Sequence, residues 1–320
     1  MWRSWLRWGV MCGAYSTIGL MAEAVEAGVV KVVREAGQVV VSGPQGEVCR
    51  YVEEASAMEL PEGMAEVYAG SGFLRSLRTP GGVELLDVLA VGHPHHRGVF
   101  SAWAKVRVGE ETVDVWNVQK ETGRTEAVGL AELEESGFSA LRRHVKVGGE
   151  VLLEERWRVG VAPGDGFNAI DIDMEQVVRA PGGVILETYA YGGLGFRATR
   201  YWNAADEKHF IGAPSILTSE GETDREAANH RRARWILLEG PFPEGKAGVV
   251  MLQHPQTDRF PQPVRLHPTM PYFVFCPVVN EPLSLPEGAF YRSRFRILAF
   301  DERPSVSRIE AEWERFAGRP

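Results

Sequence analysis

Residues 140–190, ALRRHVKVGGEVLLEERWRVGVAPGDGFNAIDIDMEQVVRAPGGVILETYA, decide the fold class. Runs of strand-forming residues are cut by Gly148-Gly149, by Pro163-Gly164-Asp165-Gly166 and by Pro181-Gly182-Gly183. Such clusters supply the positive φ and the fixed proline φ that tight turns require, so each marks a hairpin or short loop. No long helical period separates the runs, whereas a βαβ unit would need one. The segment reads as an antiparallel meander.

Upstream, the same punctuation frames strands at Val29–Val33, Val39–Ser42, Gly72–Leu77, Val83–Val88, Phe100–Val108 and Thr112–Trp116. Downstream, strands are predicted at Arg234–Leu238, Ala247–Leu252, Tyr272–Phe275 and Tyr291–Phe300. Between these sets, Asn203–Arg232 is polar and charge-rich and reads as a long functional loop or lid, with a short helix near Arg225–Arg231. At the C-terminus Val306, Ile309, Trp313 and Phe316 recur at helical spacing, Ser307 and Glu310 suit a capping box, and Gly318 ends the run. The expectation is a mainly β protein, a large antiparallel β-sandwich closed by one C-terminal helix. No repeat or linker divides it, so residues 25–320 are expected to form one domain.

The first residues place Arg3 and Arg7 ahead of an apolar run ending at Ala22-Glu23-Ala24, the pattern of a secretory signal over 1–24. A periplasmic or secreted location follows from it, and no other segment is long and apolar enough to span a bilayer. Cys12 lies in that segment, which leaves Cys49 and Cys276, either a single long-range disulfide or two buried thiols. The chain has 320 residues and a formal net charge of -8, with Lys and Arg scattered among Asp and Glu. Nucleic acid and anionic lipid need a concentrated positive field, so neither is an expected partner.

The densest chemistry lies at His93-Pro94-His95-His96-Arg97-Gly98. In extended backbone His93 and His95 project to one side, and His96 faces away unless a bulge re-aims it. Imidazoles there are suited to acid-base work near neutral pH, and Arg97 to binding a carboxylate or an oxyanion. His93 and His95 can also hold a divalent metal if His254, His267 or Glu187 supplies a third ligand. Without it no cofactor is expected. A purely structural alternative is a polar loop whose rings stitch backbone carbonyls together.

Asp114 and Trp116 follow the next strand, and Trp116, Tyr201 and Trp202 offer flat faces to a sugar ring whose hydroxyls Asp114 and Arg197 could bond. For any one tryptophan a core position is the simpler reading. The glycine-rich Gly192-Gly193-Leu194-Gly195 lacks the strand-then-helix context of a dinucleotide fingerprint and reads as a bulged strand presenting Arg197. His254 and Arg259 sit just past a strand end, as site residues or as braces of a proline-rich loop. No nucleophile elbow or phosphate loop is present in the sequence.

These residues carry a resemblance. His93–Phe100 with Asp114-Val115-Trp116, Gly193–Arg197, Arg234-Trp235, Gly248–Pro255 and Pro271–Phe273 are similar to a family of exported bacterial proteins of unknown function labelled methane oxygenase PmoA-like. The resemblance spans most of the mature chain and implies carbohydrate-related work. Gly92 stands where relatives often carry an acid beside the first histidine. Pro282–Gly288, leading into the last strand, also resembles the end of galactose-mutarotase-like supersandwiches, which implies that fold.

The leading reading is therefore an exported carbohydrate-active enzyme, a lyase, epimerase or hydrolase. His95, His96, Arg97, Glu187 and His254 are its catalytic candidates, and His93, Asp114, Trp116, Arg197, Trp202 and Arg259 its substrate-binding candidates. The rivals are a non-catalytic glycan-binding protein and a metal-dependent enzyme using the histidine cluster. A carbohydrate or another small polar molecule is the expected ligand.

Overall fold

The computed structural model describes residues 30–318. The expected signal peptide at 1–24, with Cys12, lies outside the described residues, as does Val29. The strands form two large antiparallel sheets and two small ones. The eight-stranded sheet runs, in spatial order, Lys31–Glu35, Gln38–Gly43, Gly46–Val52, Phe73–Leu77, Val99–Trp103, Gly192–Arg197, Tyr272–Phe275 and Val264–Leu266. The nine-stranded sheet has the main order Gly123–Ala127, Gly137–Lys146, Val151–Pro163, Phe167–Val178, Phe290–Phe300, Gly245–Gln253, Trp235–Phe242 and Ser215–Thr218, with Glu132–Glu134 paired on its second strand. The meander read from residues 140–190 is the heart of this sheet, and its turns fall at the predicted glycines and prolines.

Side-chain alternation sets the layers, because successive strand residues face opposite sides. Val99, Leu194, Phe196, Phe273 and Phe275 of the first sheet meet Phe138, Trp157, Ile170, Ile172 and Phe295 of the second in the sandwich core. On the far side of the nine-stranded sheet, Trp235, Leu237, Val250, Leu252, Leu298 and Phe300 pack under Ile309 and Phe316 of the helix Val306–Ala317. The same face carries a row of cross-strand ion pairs, from Arg292 to Glu175 at 2.6 Å and Arg294 to Asp173 at 2.8 Å to Arg296 and Asp171 at 2.6 Å, where the Arg296 guanidinium lies over the Phe316 ring of the helix. The outer face of the eight-stranded sheet packs against a four-stranded sheet of Leu283–Leu285, Val184–Leu186, Val106–Val108 and Glu111–Val113.

Several local expectations need correction. Val83–Val88 is not a continuous strand, because the Glu84 carboxylate accepts the N–H groups of Leu77 and Leu86, both at 3.0 Å, and replaces ladder bonds; only isolated bridges form, Glu84 to Arg78 and Leu86 to Ala198, before the strand Val88–Ala90. Phe100–Val108 breaks after Trp103, where the chain leaves the large sheet for the four-stranded one. Thr112–Trp116 shortens to Glu111–Val113, since Asp114 accepts the N–H groups of Trp116 and Asn117 and turns the chain. Ser305, not Ser307, caps the final helix by accepting the Arg308 N–H, and Glu310 reaches Arg234 and Trp235 instead of the helix start. Within the polar stretch 203–232 lie the strand Ser215–Thr218 and the helix Arg225–Ala228. Cys49 and Cys276 are free and buried in different core clusters, so the disulfide alternative does not hold.

Candidate functional site

The floor of the site is one end of the eight-stranded sheet's outer face. With Leu194, Phe196, Val264, Leu266 and Phe273 turned into the sandwich, the period of two sends Gly195, Arg197, Arg265 and Tyr272 outward. Arg197 pairs with Tyr272 across the strands, and Gly195 with Phe100. A β-carbon on Gly195 would stand 2.9 Å from Trp116 Cη2, so the missing side chain is what seats the indole on the floor, its ring 4.6 Å from that of Phe100.

The wall is a two-stranded ribbon of Val88–Ala90 and His93–Arg97. Gly98 detaches it from the large sheet, with φ of 66° and a position where a β-carbon would lie 2.2 Å from the Leu74 carbonyl oxygen. The ribbon's register is irregular, Val88 facing Arg97 and Ala90 facing His93, and Leu89 takes φ of 57°. This irregularity turns all three imidazoles to one side, the bulged arrangement of the two that the sequence left open. Ring centroids lie 5.6 Å apart for His93 and His95, 5.3 Å for His93 and His96, and 4.6 Å for His95 and His96. His96 also stacks on Tyr272 at 4.7 Å and meets Trp116 edge-on at 6.2 Å.

His267 completes the ring cluster, 6.1 Å from His93. Its Nδ1 accepts the N–H groups of Thr269 at 3.3 Å and Met270 at 3.1 Å, so the neutral ring carries its proton on Nε2 as a donor. Together these side chains enclose a cavity of about 260 Å³, lined also by Asn117, Gln119, Tyr191, Arg265 and Met270. No carboxylate lines it.

Burial sets the electrostatics. It pushes His95 down to about 4, with His93, Arg97 and Arg197 adding to the effect and Asp114 opposing it. His267 also falls to about 4, through burial and then Arg265, His93, Arg197 and Arg225. Burial holds His96 well below the usual range and lowers His93, and Arg197 contributes to both. At neutral pH the four rings are uncharged. Among the described residues, His93 Nδ1, His96 Nδ1, the Tyr272 hydroxyl, Arg265 Nε and all three guanidinium nitrogens of Arg197 are buried without a hydrogen-bond partner. Burial brings Arg197 down to about 10, Asp87 opposing, so it keeps its charge at neutral pH.

Of the sequence candidates, His93, His95, His96 and Trp116 line this cavity, while Arg197 is buried beneath the lining, paired with Tyr272 across the strands. Asp114 stays behind the lining, held by Asn117 and by Lys120 at 2.8 Å. The others stand elsewhere. Arg97 turns to the opposite side of the ribbon and donates to the Ala69 carbonyl at 3.2 Å. Glu187 pairs with Arg107 at 3.0 Å beside the four-stranded sheet. His254 is buried under the final helix, its ring 5.0 Å from that of Phe316. Trp202 is core, its Nε1 donating to the Pro241 carbonyl at 2.9 Å, and Tyr201 packs beside it on Phe242. Arg259 braces a loop through the carbonyls of Pro277, Glu281 and Pro282. Those positions do not share a pocket with the histidines. Among the described residues no group of three or more His, Cys, Asp or Glu side chains is placed to hold a metal ion.

Arg265, Tyr272, Tyr191, Asn117 and Gln119 are lining residues that the sequence reading did not single out as site residues. For Arg265 and His267 the signal was alternation with the apolar Val264 and Leu266. Behind the ribbon a second cavity of about 460 Å³ is lined by Asp87, Arg75, Arg200 and the Asp206–His209 pair, whose Nδ1 to Oδ1 distance is 2.9 Å.

Fold and site define a β-sandwich protein with a half-open, imidazole-rich cavity on the outer face of one sheet. The chain belongs to the Family of unknown function (DUF6807), whose model matches residues 38–314. No curated protein matches it. Among solved structures it is similar to a galactose mutarotase related enzyme from Lactobacillus acidophilus, at 9% identity and TM-score 0.36 over 86% of this chain and 100% of that one. It is also similar to a 4-alpha-glucanotransferase from Thermococcus litoralis, at 10% identity and TM-score 0.25 over 87% of this chain and 38% of that one. Among the described residues no helix is long and apolar enough to cross a membrane.

Proposed function

We propose that the protein is an exported carbohydrate-active enzyme that holds one small hydroxylated ring among His93, His95, His96 and His267 and moves a proton with His95 or His96. The observation that carries the reading is the convergence of buried, unpartnered polar atoms on one cavity. His93 Nδ1, His96 Nδ1 and the Tyr272 hydroxyl all belong to lining residues, and each such atom left unmade costs about 1 to 3 kcal/mol. A scaffold tolerates that cost where a ligand relieves it.

At about 260 Å³ the cavity is smaller than the roughly 300 to 1,000 Å³ of drug-sized pockets, which favours a single ring over an oligosaccharide. Its lining alternates aromatic faces, Trp116, Tyr191 and Tyr272, with the amides of Asn117 and Gln119, a match for alternating C–H faces and hydroxyls. Neutral imidazoles serve as bases, so proton abstraction in an epimerase or lyase fits. Glycoside hydrolysis uses a pair of carboxylates flanking the bond, and no carboxylate lines this cavity, which disfavours the hydrolase alternative. Export rests on the sequence of residues 1–24 alone.

The test is to incubate the purified protein with a panel of monosaccharides, sugar acids and simple glycosides and follow conversion by NMR. The wild type is expected to convert at least one compound, with His95→Ala or His96→Ala slowing turnover by about 10² to 10⁴. Full turnover in both folded variants would overturn the assignment of the base.

A further inference from the structure

We infer that the ligand of this cavity carries a carboxylate, making it a sugar acid of monosaccharide size and not a neutral sugar. The inference deepens the proposed function and rests on the cavity being a ligand site.

It follows from an inventory of the charges around the cavity. Arg265 lines it, with Nη1 donating to Asn229 Oδ1 at 3.1 Å and the Leu266 carbonyl at 3.0 Å, and with Nε buried and unpartnered. Arg197, fully buried, sits beneath the lining beside Tyr272, with no hydrogen bond from any of its three guanidinium nitrogens among the described residues. Arg225, from the short helix, reaches the carbonyls of His267 and Met270, both at 3.0 Å. The nearby acids are already engaged. Asp114 is paired with Lys120, and Asp87, which faces Arg197, is paired with Arg200 at 3.2 Å. His93, His95 and His96 from the ribbon, His267 from its loop, and the phenols of Tyr191 and Tyr272 are all uncharged at neutral pH and add no negative charge.

An unpartnered guanidinium charge beneath the lining is a costly state, and a carboxylate held at the lining guanidinium of Arg265 would offset it as well as pair with Arg265. Asp87 offsets part of the Arg197 charge, so what remains suits a monoanion better than a phosphate, which carries about −1.5 to −2 near neutral pH. His267 Nε2–H and the Tyr272 hydroxyl add uncharged donors. The same carboxylate would raise the basicity of the neighbouring imidazoles, which the positive surroundings otherwise suppress.

The experiment titrates the intact chain, at constant ionic strength, with D-glucuronate, D-gluconate, D-glucose and D-glucose 6-phosphate by calorimetry, and with acetate by NMR of the histidine rings. Acetate serves as a probe with no stereochemistry to mismatch. The expected result is at least tenfold tighter binding of a sugar acid than of D-glucose, and acetate-induced shifts at His96 and His267. Arg265→Gln should weaken sugar-acid binding at least tenfold, with Arg265→Lys recovering part of it. D-Glucose binding as tightly as the acids, with histidine shifts, would overturn the carboxylate while leaving the ligand site intact. Tightest binding of the phosphate would overturn it in favour of a dianion. Histidine rings unmoved by acetate and by both acids would also overturn it.

Discussion

Two of the arginines buried near histidines among the described residues, Arg142 and Arg197, are finished in opposite ways. Between the large sheets, the Glu155 carboxylate accepts from Arg142, from His144 at 3.0 Å, from Trp157 at 2.9 Å and from Gln176 at 3.1 Å. Gln176 and Arg142 carry the network across to Ser101, and Trp103 donates to Gln176 at 2.9 Å. Arg142 Nε and His144 Nδ1 alone of that arginine and histidine pair stay without partners. At the cavity, by contrast, the Arg197 guanidinium makes no hydrogen bond among the described residues, and no carboxylate lines the pocket. The difference teaches how to separate scaffold from site: a buried charge with its counter-charge beside it fixes the fold, whereas one held without partners fits a place made for something from outside.

The largest effect expected from breaking this contrast is at Glu155. Glu155→Gln strips the counter-charge from Arg142 and should cost about 3 to 5 kcal/mol in denaturant unfolding. A loss under about 1 kcal/mol would erase the distinction between the regions. Next comes Gly195→Ala, whose methyl enters at 2.9 Å from Trp116 and 3.2 Å from Phe100. Overpacking of that kind costs about 1 to 3 kcal/mol. It should also displace Trp116, visible as a changed fluorescence spectrum, and abolish ligand binding; unchanged binding would show that the indole's seat is irrelevant.

Acid titration sharpens the comparison, because the cavity contributes only histidines to it, whereas the second region adds to its own burial-lowered His144 a carboxylate that titrates at lower pH. His95 and His267 titrate near 4 in the folded chain and near 6.5 unfolded, so between those values the unfolded chain binds more protons. Their contribution is complete above about 6.5 and is lost as pH falls toward about 4. The carboxyl of Glu155, held down to about 2 by Arg142 and His144 against the pull of burial, loses its contribution only between about 4.5 and 2. A His95→Gln, His267→Gln double variant should therefore reduce the slope of the stability profile between pH 6.5 and 4, where His93, His96 and His144 still contribute, and leave the lower arm unchanged. The smallest effect is expected from Tyr272→Phe. Its hydroxyl has no partner to lose, so stability should move by less than about 1 kcal/mol while ligand affinity falls.

Much of the fold was legible because it is local. Gly148-Gly149 and Pro163–Gly166 mark turns whatever the rest of the chain does, and the 3.6-residue period of Ile309, Trp313 and Phe316 marks the helix that covers the second sheet. Val83–Val88 was misread because a single side chain, Glu84, took over backbone donors, an event that strand propensity does not encode. The site was legible only in part. His93, His95 and His96 stand out as a cluster, but Arg97 shares their strand and turns away, and nothing in the spacing says so. Tyr272 joins them through a pairing with Arg197 between strands far apart in sequence. His254 and Arg259 are suggested by lying just past a strand end, a criterion blind to the face on which each end opens, and Glu187 by residue type alone.

The most direct measurement is a crystal structure of the chain soaked in a mixture of neutral monosaccharides and sugar acids. Density for one ring between His96, Tyr272 and Arg265 is the expected result. Density only in the second cavity, beside Asp87 and His209, with the histidine pocket empty, would contradict the central claim.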